Sequence, residues 1–453
     1  MEKPLIQEKR NRPEQITCII ENVLITSSVI IFTLQYTIFG VLDQTVFSPI
    51  KNVVMILITL FFIYRFFTVS NEERKLWFTE KFLHVPSFVW LMLYFAARCI
   101  TFIHEGMDYS IAREVFFEFV FLVMICRWTV SGRYRVDIMA YIFCAINLLM
   151  NIGDTAFIHL IRTEEMTDAN NGLIQFLLSL SSNSPYGPEY TVSLLYVNPN
   201  SAGIMTALAL LFSLILYKNR KSLPVFIIYW AYLLFELVKY ESRGAMLSLI
   251  VAGVSVLLMM AIKKLTPRAL VVACFVCCIV LSSGMYGFIE YNLSDGDKNL
   301  TDVESMINDI STQRYKIWQD CVISHSDKKI LGTGSPALEE KERNEYLRDN
   351  YIGDYGTDDG FVPTKFSVHN GYLAAIFITG WLGYMLFIII MLDKLRKAVV
   401  IRLKNRTSII FASIIIFIFM ICNFEALLIT SRYYTVLILY IILAFDCDNE
   451  RTA

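Results

Sequence analysis

Charge is scarce in this chain and almost balanced: 18% of its 453 residues are charged, with 40 basic residues against 41 acidic ones. A net charge of -1 gives no global attraction for a polyanion, which removes nucleic-acid binding from the functions composition supports. Histidine is rarer still, at five residues. No P-loop, HExxH or GxSxG pattern occurs, so the common nucleotide, zinc-peptidase and serine-hydrolase signatures are missing. Ten cysteines are present, but Cys18, Cys99, Cys126, Cys144, Cys274, Cys277, Cys278 and Cys422 fall in apolar runs. Only Cys321 stands in the long polar insert described below, which excludes a disulfide framework there. Cys274, Cys277 and Cys278 imitate a CxxC without a second ligand pair and read as small buried hydrophobes.

Apolar residues are what the chain has in abundance: 56% of the total, with a mean hydropathy of +0.52. They come in blocks of roughly 20, the length that crosses a hydrocarbon core. Twelve blocks are expected to be helices, over residues 16–39, 50–68, 82–103, 111–130, 136–160, 193–217, 222–240, 244–262, 268–290, 371–393, 408–424 and 431–446. Pro49, Pro199 and Pro224 stand where the second, sixth and seventh begin, the place a helix tolerates proline. No small-residue cleavage site follows the basic N-terminus, so the first block is expected to be retained as a helix. The expected fold is an all-α polytopic membrane protein with about 12 transmembrane helices.

Loop cations set the direction. The N-terminus, Arg74/Lys75/Lys81, Arg127/Arg133/Arg135, Lys218/Arg220/Lys221, Lys263/Lys264/Arg268 and the cluster from Lys394 to Arg406 form a rich set. The alternate loops hold mostly single cations such as Lys51, Arg113, Arg162 and Arg432. Positive loops stay in the cytoplasm, so both termini are expected there and residues 161–192 and 291–369 outside. Three regions follow: helices 1–9 over 1–290, an extracytoplasmic loop over 291–369, and helices 10–12 over 370–453. The loop is acidic, with 15 acidic and 9 basic residues over 291–370, so any anion site in it must be local.

Within the loop, Val303, Ile307, Ile310, Ile317 and Cys321 recur at helical spacing, which predicts one amphipathic helix over 303–325 with Arg314 on its apolar face. Arg314 then either snorkels to water or aims a planar fork suited to phosphate oxygens. The charged stretch from Glu339 to Asp359 is expected to be mobile. Arg243 opens the eighth block from a tight turn, Tyr240-Glu241-Ser242-Arg243-Gly244. An interfacial arginine is ordinary in itself, but this turn leaves almost no loop to place it elsewhere. His369 stands at the entry of the tenth block, where helix N–H groups favour an anion and an imidazole can act as a base, a phosphate donor or a simple cap. Arg98 lies near enough to a helix end to snorkel, Glu118 is an open mid-span carboxylate, and Asp154 and Glu425 lie nearer the outer face. Gly332-x-Gly334 lacks the strand and helix of a nucleotide site.

Several short motifs fall in one order: Asn198-Pro199-Asn200, Ser242-Arg243-Gly244-Ala245, Gln313-Arg314-Tyr315-x-x-Trp318, Leu331-Gly332-x-Gly334, His369-Asn370-Gly371-Tyr372-Leu373 and Gly380-Trp381-Leu382-Gly383. Together they resemble the bacterial O-antigen polymerase and ligase superfamily, over about residues 190–395. The resemblance implies a GT-C-like membrane glycosyltransferase that works without metal or cofactor outside the bacterial cytoplasmic membrane. Its substrate would be an undecaprenyl-pyrophosphate-linked oligosaccharide, with a flippase and a chain-length regulator as candidate partners. Its motifs match onto Arg243, Arg314 and His369, with Asn370 as a neighbour. On physical grounds beside it, the two arginines are taken as pyrophosphate clamps and His369 as general base or a further phosphate donor, with Asn198 and Asn200 as further candidates. A repeat-unit polymerase for capsule or O-antigen is favoured over a ligase. The rival class is a flippase or transporter of lipid-linked glycans. Twelve spans suit it, but no related halves and no broken helix show in the sequence.

Overall fold

The computed structural model describes residues 12–35, 37, 44–68, 85–131, 136–162, 193, 195–196, 198–294, 302–311, 314–351, 368–398, 400–428 and 434–444. In chain order the helices are α1 (Arg12–Leu34), α2 (Gln44–Thr68), α3 (Val85–His104), α4 (Tyr109–Ser131) and α5 (Val136–Arg162). Next come α6 (Pro199–Leu216), α7 (Leu223–Lys239), α8 (Arg243–Ala261) and α9 (Pro267–Ser294). The insert contributes α10 (Asp302–Ile310), α11 (Arg314–Ser324) and α12 (Pro336–Tyr351), followed by α13 (Gly371–Lys397), α14 (Arg406–Ile421) and α15 (Tyr434–Ala444). The protein is all-α: among the described residues the only β feature is an isolated bridge between Thr37 and Tyr196.

Each apolar block coincides with a helix, and among the described residues six helices are long and apolar enough to cross a membrane. The helix starts follow local chemistry. Pro199 takes the first position of α6, and the Asn198 side chain accepts from Ser201 N–H. Asn405 and Ser408 form a reciprocal capping box at α14. Pro49, expected at the start of α2, instead lies inside it, because the helix already begins at Gln44.

Helix α14 is buried along most of its length and packs against α6, α8 and α9. A helix that is apolar all round belongs in such a position. By contrast, α7 and α8 leave large apolar residues such as Ile228, Phe235, Ile250 and Leu257 exposed, as a lipid-facing surface does.

Several expectations change. Residues 303–325 do not form one helix: α10 ends at Ile310 and α11 begins at Arg314. The side chains of Asn308 and Ser311 accept from the N–H groups of Lys316 and Tyr315, at 3.1 Å each, and start a new helix instead of continuing the old one. Val303 is exposed, so the expected stripe does not begin where its spacing indicates. The stretch from Glu339 is helical to Tyr351, and the buried Arg343 donates to the buried Glu339 at 3.0 Å.

Arg98 does not snorkel; it is fully buried and pairs with Glu118 at 3.2 Å, which answers the open question about that carboxylate. Nor is the chain free of broken helices. Gly380, at φ 65°, interrupts α13. In an unbroken helix Trp381 N–H would bond Phe377 O, and Leu382 N–H would bond Ile378 O. Here Lys329 O and Ile330 O receive those two N–H groups at 2.8 and 3.2 Å. Thr333 N–H and Gly334 N–H donate to the two freed carbonyls at 2.9 and 2.8 Å. The break is filled by the chain's own backbone and presents nothing to a passenger.

A side chain at Gly380 would put its Cβ 2.1 Å from Ile330 O and 2.5 Å from Leu331 N, both backbone atoms. Gly380→Ala is therefore expected to remove nearly all folded protein. Its positive φ with an extended ψ, a backbone conformation almost confined to glycine, alone costs ~1 kcal/mol or more for alanine. The yield of a monodisperse peak in detergent reads this out, and a wild-type yield would contradict it.

Candidate active site

The turn after α14 is where the candidate residues meet. Phe424 N–H and Glu425 N–H both bond Ile421 O, at 2.9 and 3.0 Å, while Gly371 N–H reaches Cys422 O at 2.6 Å. This turn therefore rests against the first residues of α13. Glu425 receives three contacts there. Asn200 Nδ2 donates to Oε1 at 2.8 Å, His369 Nδ1 lies 3.1 Å from Oε2, and Arg314 Nη2 lies 3.8 Å from Oε1. Arg314 Nη1 donates to Phe424 O at 2.9 Å. Residues distant in sequence thus share one carboxylate. The side chains stay reachable, at 22% exposure for Arg314, 25% for His369 and 15% for Glu425.

Each motif residue has a physical task in holding this arrangement. Trp318 Nε1 donates to Val368 O at 2.7 Å and so ties α11 to the backbone just before His369. Tyr315 is buried, and its hydroxyl donates to Glu304 at 2.6 Å. Burial first, then that hydrogen bond, pushes its phenol above the ordinary range, so it serves as a neutral donor. Burial also pushes the Cys321 thiol well up, which removes it as a nucleophile.

Arg243 approaches from the other side. Ser242 is buried and donates to Asn200 Oδ1 at 3.4 Å, and a Cβ on Gly244 would meet Phe424 Cβ at 2.9 Å. Only glycine permits that approach. The turn carrying Arg243 is consequently seated on both Asn200 and Phe424, one residue either side of the arginine. Arg243 itself is exposed, and among the described residues its guanidinium has no hydrogen-bonding or ionic partner. Among the described residues, the N-cap Ser242 of α8 makes no side-chain capping bond, which leaves N–H groups of the first turn for an external acceptor.

Two of the three non-glycine residues with positive φ among those described are here, Glu241 at 52° and His369 at 48°. Such backbone strain concentrates at functional sites. Asn370 is buried, and its side-chain oxygen accepts from Tyr372 and Leu373 N–H at 3.0 Å each. Its amide nitrogen lies 3.5 Å from Ser282 Oγ. Asn370 and Asn198 are thus engaged as helix caps, whereas Asn200 points at Glu425. The residue that sequence reasoning missed is Glu425. Its one signal was a carboxylate at the outer end of an apolar block, a signal shared with Asp154.

Residues 228–388 match the family model described as O-Antigen ligase, a segment that contains Arg243, Arg314 and His369. The match supports the resemblance to the O-antigen ligase and polymerase superfamily. The match and the apolar helices described above together indicate a multi-pass membrane protein. Among curated proteins, none matches the chain. The matched segment stops before Glu425, so the carboxylate that gathers the site is contributed by a part of the chain outside it. Among the described residues no group of three or more His, Cys, Asp and Glu is placed to hold a metal. Two Asp-x-Asp spacings, Asp295/Asp297 and Asp446/Asp448, lie outside the described residues.

Proposed function

We propose that the protein is a repeat-unit polymerase that joins undecaprenyl-pyrophosphate-linked oligosaccharides on the outer face of the bacterial cytoplasmic membrane. The observation that carries this reading is the convergence of Arg314, His369 and Asn200 on Glu425, with the Arg243 turn packed alongside. A sugar hydroxyl of one unit attacks the anomeric carbon of another. The bond from that carbon to the phosphate oxygen breaks, and its electron pair leaves with the lipid pyrophosphate. The proton of the hydroxyl passes to His369. A neutral imidazole that donates Nδ1–H to Glu425 presents Nε2 as its basic nitrogen, and the carboxylate then stabilises the imidazolium formed.

Arg243 and Arg314 balance the charge that builds on the leaving pyrophosphate, the largest electrostatic demand of the step. Arg314 commits one described hydrogen bond to Phe424 O, and the guanidinium carries further donors. Glu425 is itself an anion, but Asn200 and His369 occupy its two oxygens and blunt its repulsion of a diphosphate. The expected topology, with the insert and the mouths of α8 and α13 outside, brings a lipid-linked donor to this face.

Ligase chemistry is the second reading, favoured by the description of the matching family. One experiment separates the two. Purified protein in detergent, given only the lipid-linked repeat unit, is expected to form a ladder of integral multiples without any gradient. Unchanged single units, with transfer appearing only when a lipid or protein acceptor is added, would establish the ligase and overturn the polymerase.

A further inference from the structure

Loop 328–335 joins α11 to α12 and runs over the outer ends of α3 and α4 into the gap in α13. At its first residue, Lys328 bridges Glu105 and Glu342 at 2.8 and 2.5 Å. Burial opposes the Lys328 ammonium, but the hydrogen bonds to Glu105 and Glu342 outweigh it and raise its pKa above the ordinary lysine value. Thr101 Oγ1 donates to Leu331 O at 3.0 Å, and Ser335 Oγ lies 2.6 Å from Ser110 Oγ. At the centre stands Arg98, whose guanidinium touches both sides of the junction. Nη2 donates to Gly334 O in the loop at 2.8 Å, and Nη1 donates to Ile378 O in α13 at 3.3 Å. Nε and Nη2 also hold the Glu118 carboxylate, which accepts a further hydrogen bond from Tyr94 at 2.9 Å.

A buried ion pair is a poor way to gain stability, because desolvation of the two charges offsets most of their attraction. Apolar side chains of similar volume would fill the space as well. What they could not do is hydrogen-bond two carbonyls from different segments in one plane, which a guanidinium does. Those segments lead directly to the site. The loop follows α11, which begins with Arg314, and Ile378 lies in the half of α13 that opens after His369 and Asn370.

We propose that Arg98, oriented by Glu118 and Tyr94, is a positioning residue for glycosyl transfer. It locks loop 331–335 into the break at Gly380, so that Arg314 and His369 keep one fixed spacing. This rests on the reading of the site given above. The lock itself does not.

The test has two arms. In the first, Thr333→Cys places a thiol of similar volume at a fully buried position of the loop, and a membrane-impermeant maleimide probes it, with modification read from peptide mass. The thiol is expected to be protected with native Arg98 and to react at least about tenfold faster with Arg98→Met, since a lost lock raises local opening. Thr101→Val removes one loop hydrogen bond without changing volume and is expected to give a smaller rise, about threefold; it supplies the comparison should Arg98→Met fail to fold. Equal protection in the variants, or a reactive thiol with Arg98 intact, would overturn the lock.

In the second arm, the full-length protein is titrated with geranylgeranyl pyrophosphate, a short prenyl diphosphate. Arg98→Met is expected to weaken binding about tenfold, yet to cost less than about twofold more when Arg314→Ala is already present, because it acts through Arg314. Independent, multiplying losses would assign Arg98 to general stability and reject its positioning role. A wild-type protein that does not bind the probe would reject the reading of the site, while the maleimide arm still decides the lock.

Discussion

Arg243→Ala is expected to lower glycan formation by about 100-fold or more, the scale of one lost charge-stabilising donor. The amount of protein in the membrane should remain unchanged. Arg243 is exposed and has no ionic or hydrogen-bonding partner among the described residues, so the fold loses nothing with it. Ser242 and Gly244, which seat the turn on Asn200 and Phe424, are untouched by the change. Arg314→Ala should cut product as deeply, but it also removes the bond to Phe424 O, so a small loss of thermal stability accompanies it. Lysine should rescue neither position well. An ammonium keeps the charge and loses the fork that meets two phosphate oxygens together. Turnover of lipid-linked repeat units by purified variants, normalised to the monodisperse protein peak, is the measurement. Ordinary-length polymer from either alanine variant would reject the clamp.

The sequence singles out the two arginines for different reasons, and only one of those reasons survives in the structure. Arg243 was found from its tight turn, and the turn is there, with positive φ at Glu241. Arg314 was found from a stripe on a continuous helix that does not exist. It is the first residue of α11, aimed by a helix start that Ser311 and Asn308 create. Periodicity cannot reveal such a restart, because the apolar spacing on either side of a short break can stay in phase.

The helices themselves were readable, since apolar blocks of bilayer length leave few alternatives. The break in α13 was not. Gly380 looks like any small residue in a membrane helix until the loop segment 329–334 is seen to take over its backbone bonds. Arg98 misled in the same way: its place near a helix end fits snorkelling, and only tertiary structure supplies Glu118 and two carbonyls to keep it inside. Glu425 stayed hidden because its importance lies in what it gathers. Nothing local to Phe424-Glu425 announces that Asn200, Arg314 and His369 will arrive there.

Glu425 is for that reason the sharper test of mechanism. Glu425→Ala is expected to lower turnover by about 100-fold or more, near the lower range for losing general-base assistance. Glu425→Gln should recover little of it. A carboxamide offers one oxygen where two are in use, and its NH2 group would face either Asn200 Nδ2 or the His369 Nδ1–H as donor against donor. The decisive comparison is with His369→Ala. If Glu425 works by orienting the imidazole and stabilising its cation, the double variant should turn over no more slowly than His369→Ala alone, since residues acting as a unit do not multiply their losses. Losses that do multiply would separate the two residues. Glu425 would then be a scaffold for Asn200 and Arg314, and His369 would stand as a phosphate donor without a carboxylate behind it.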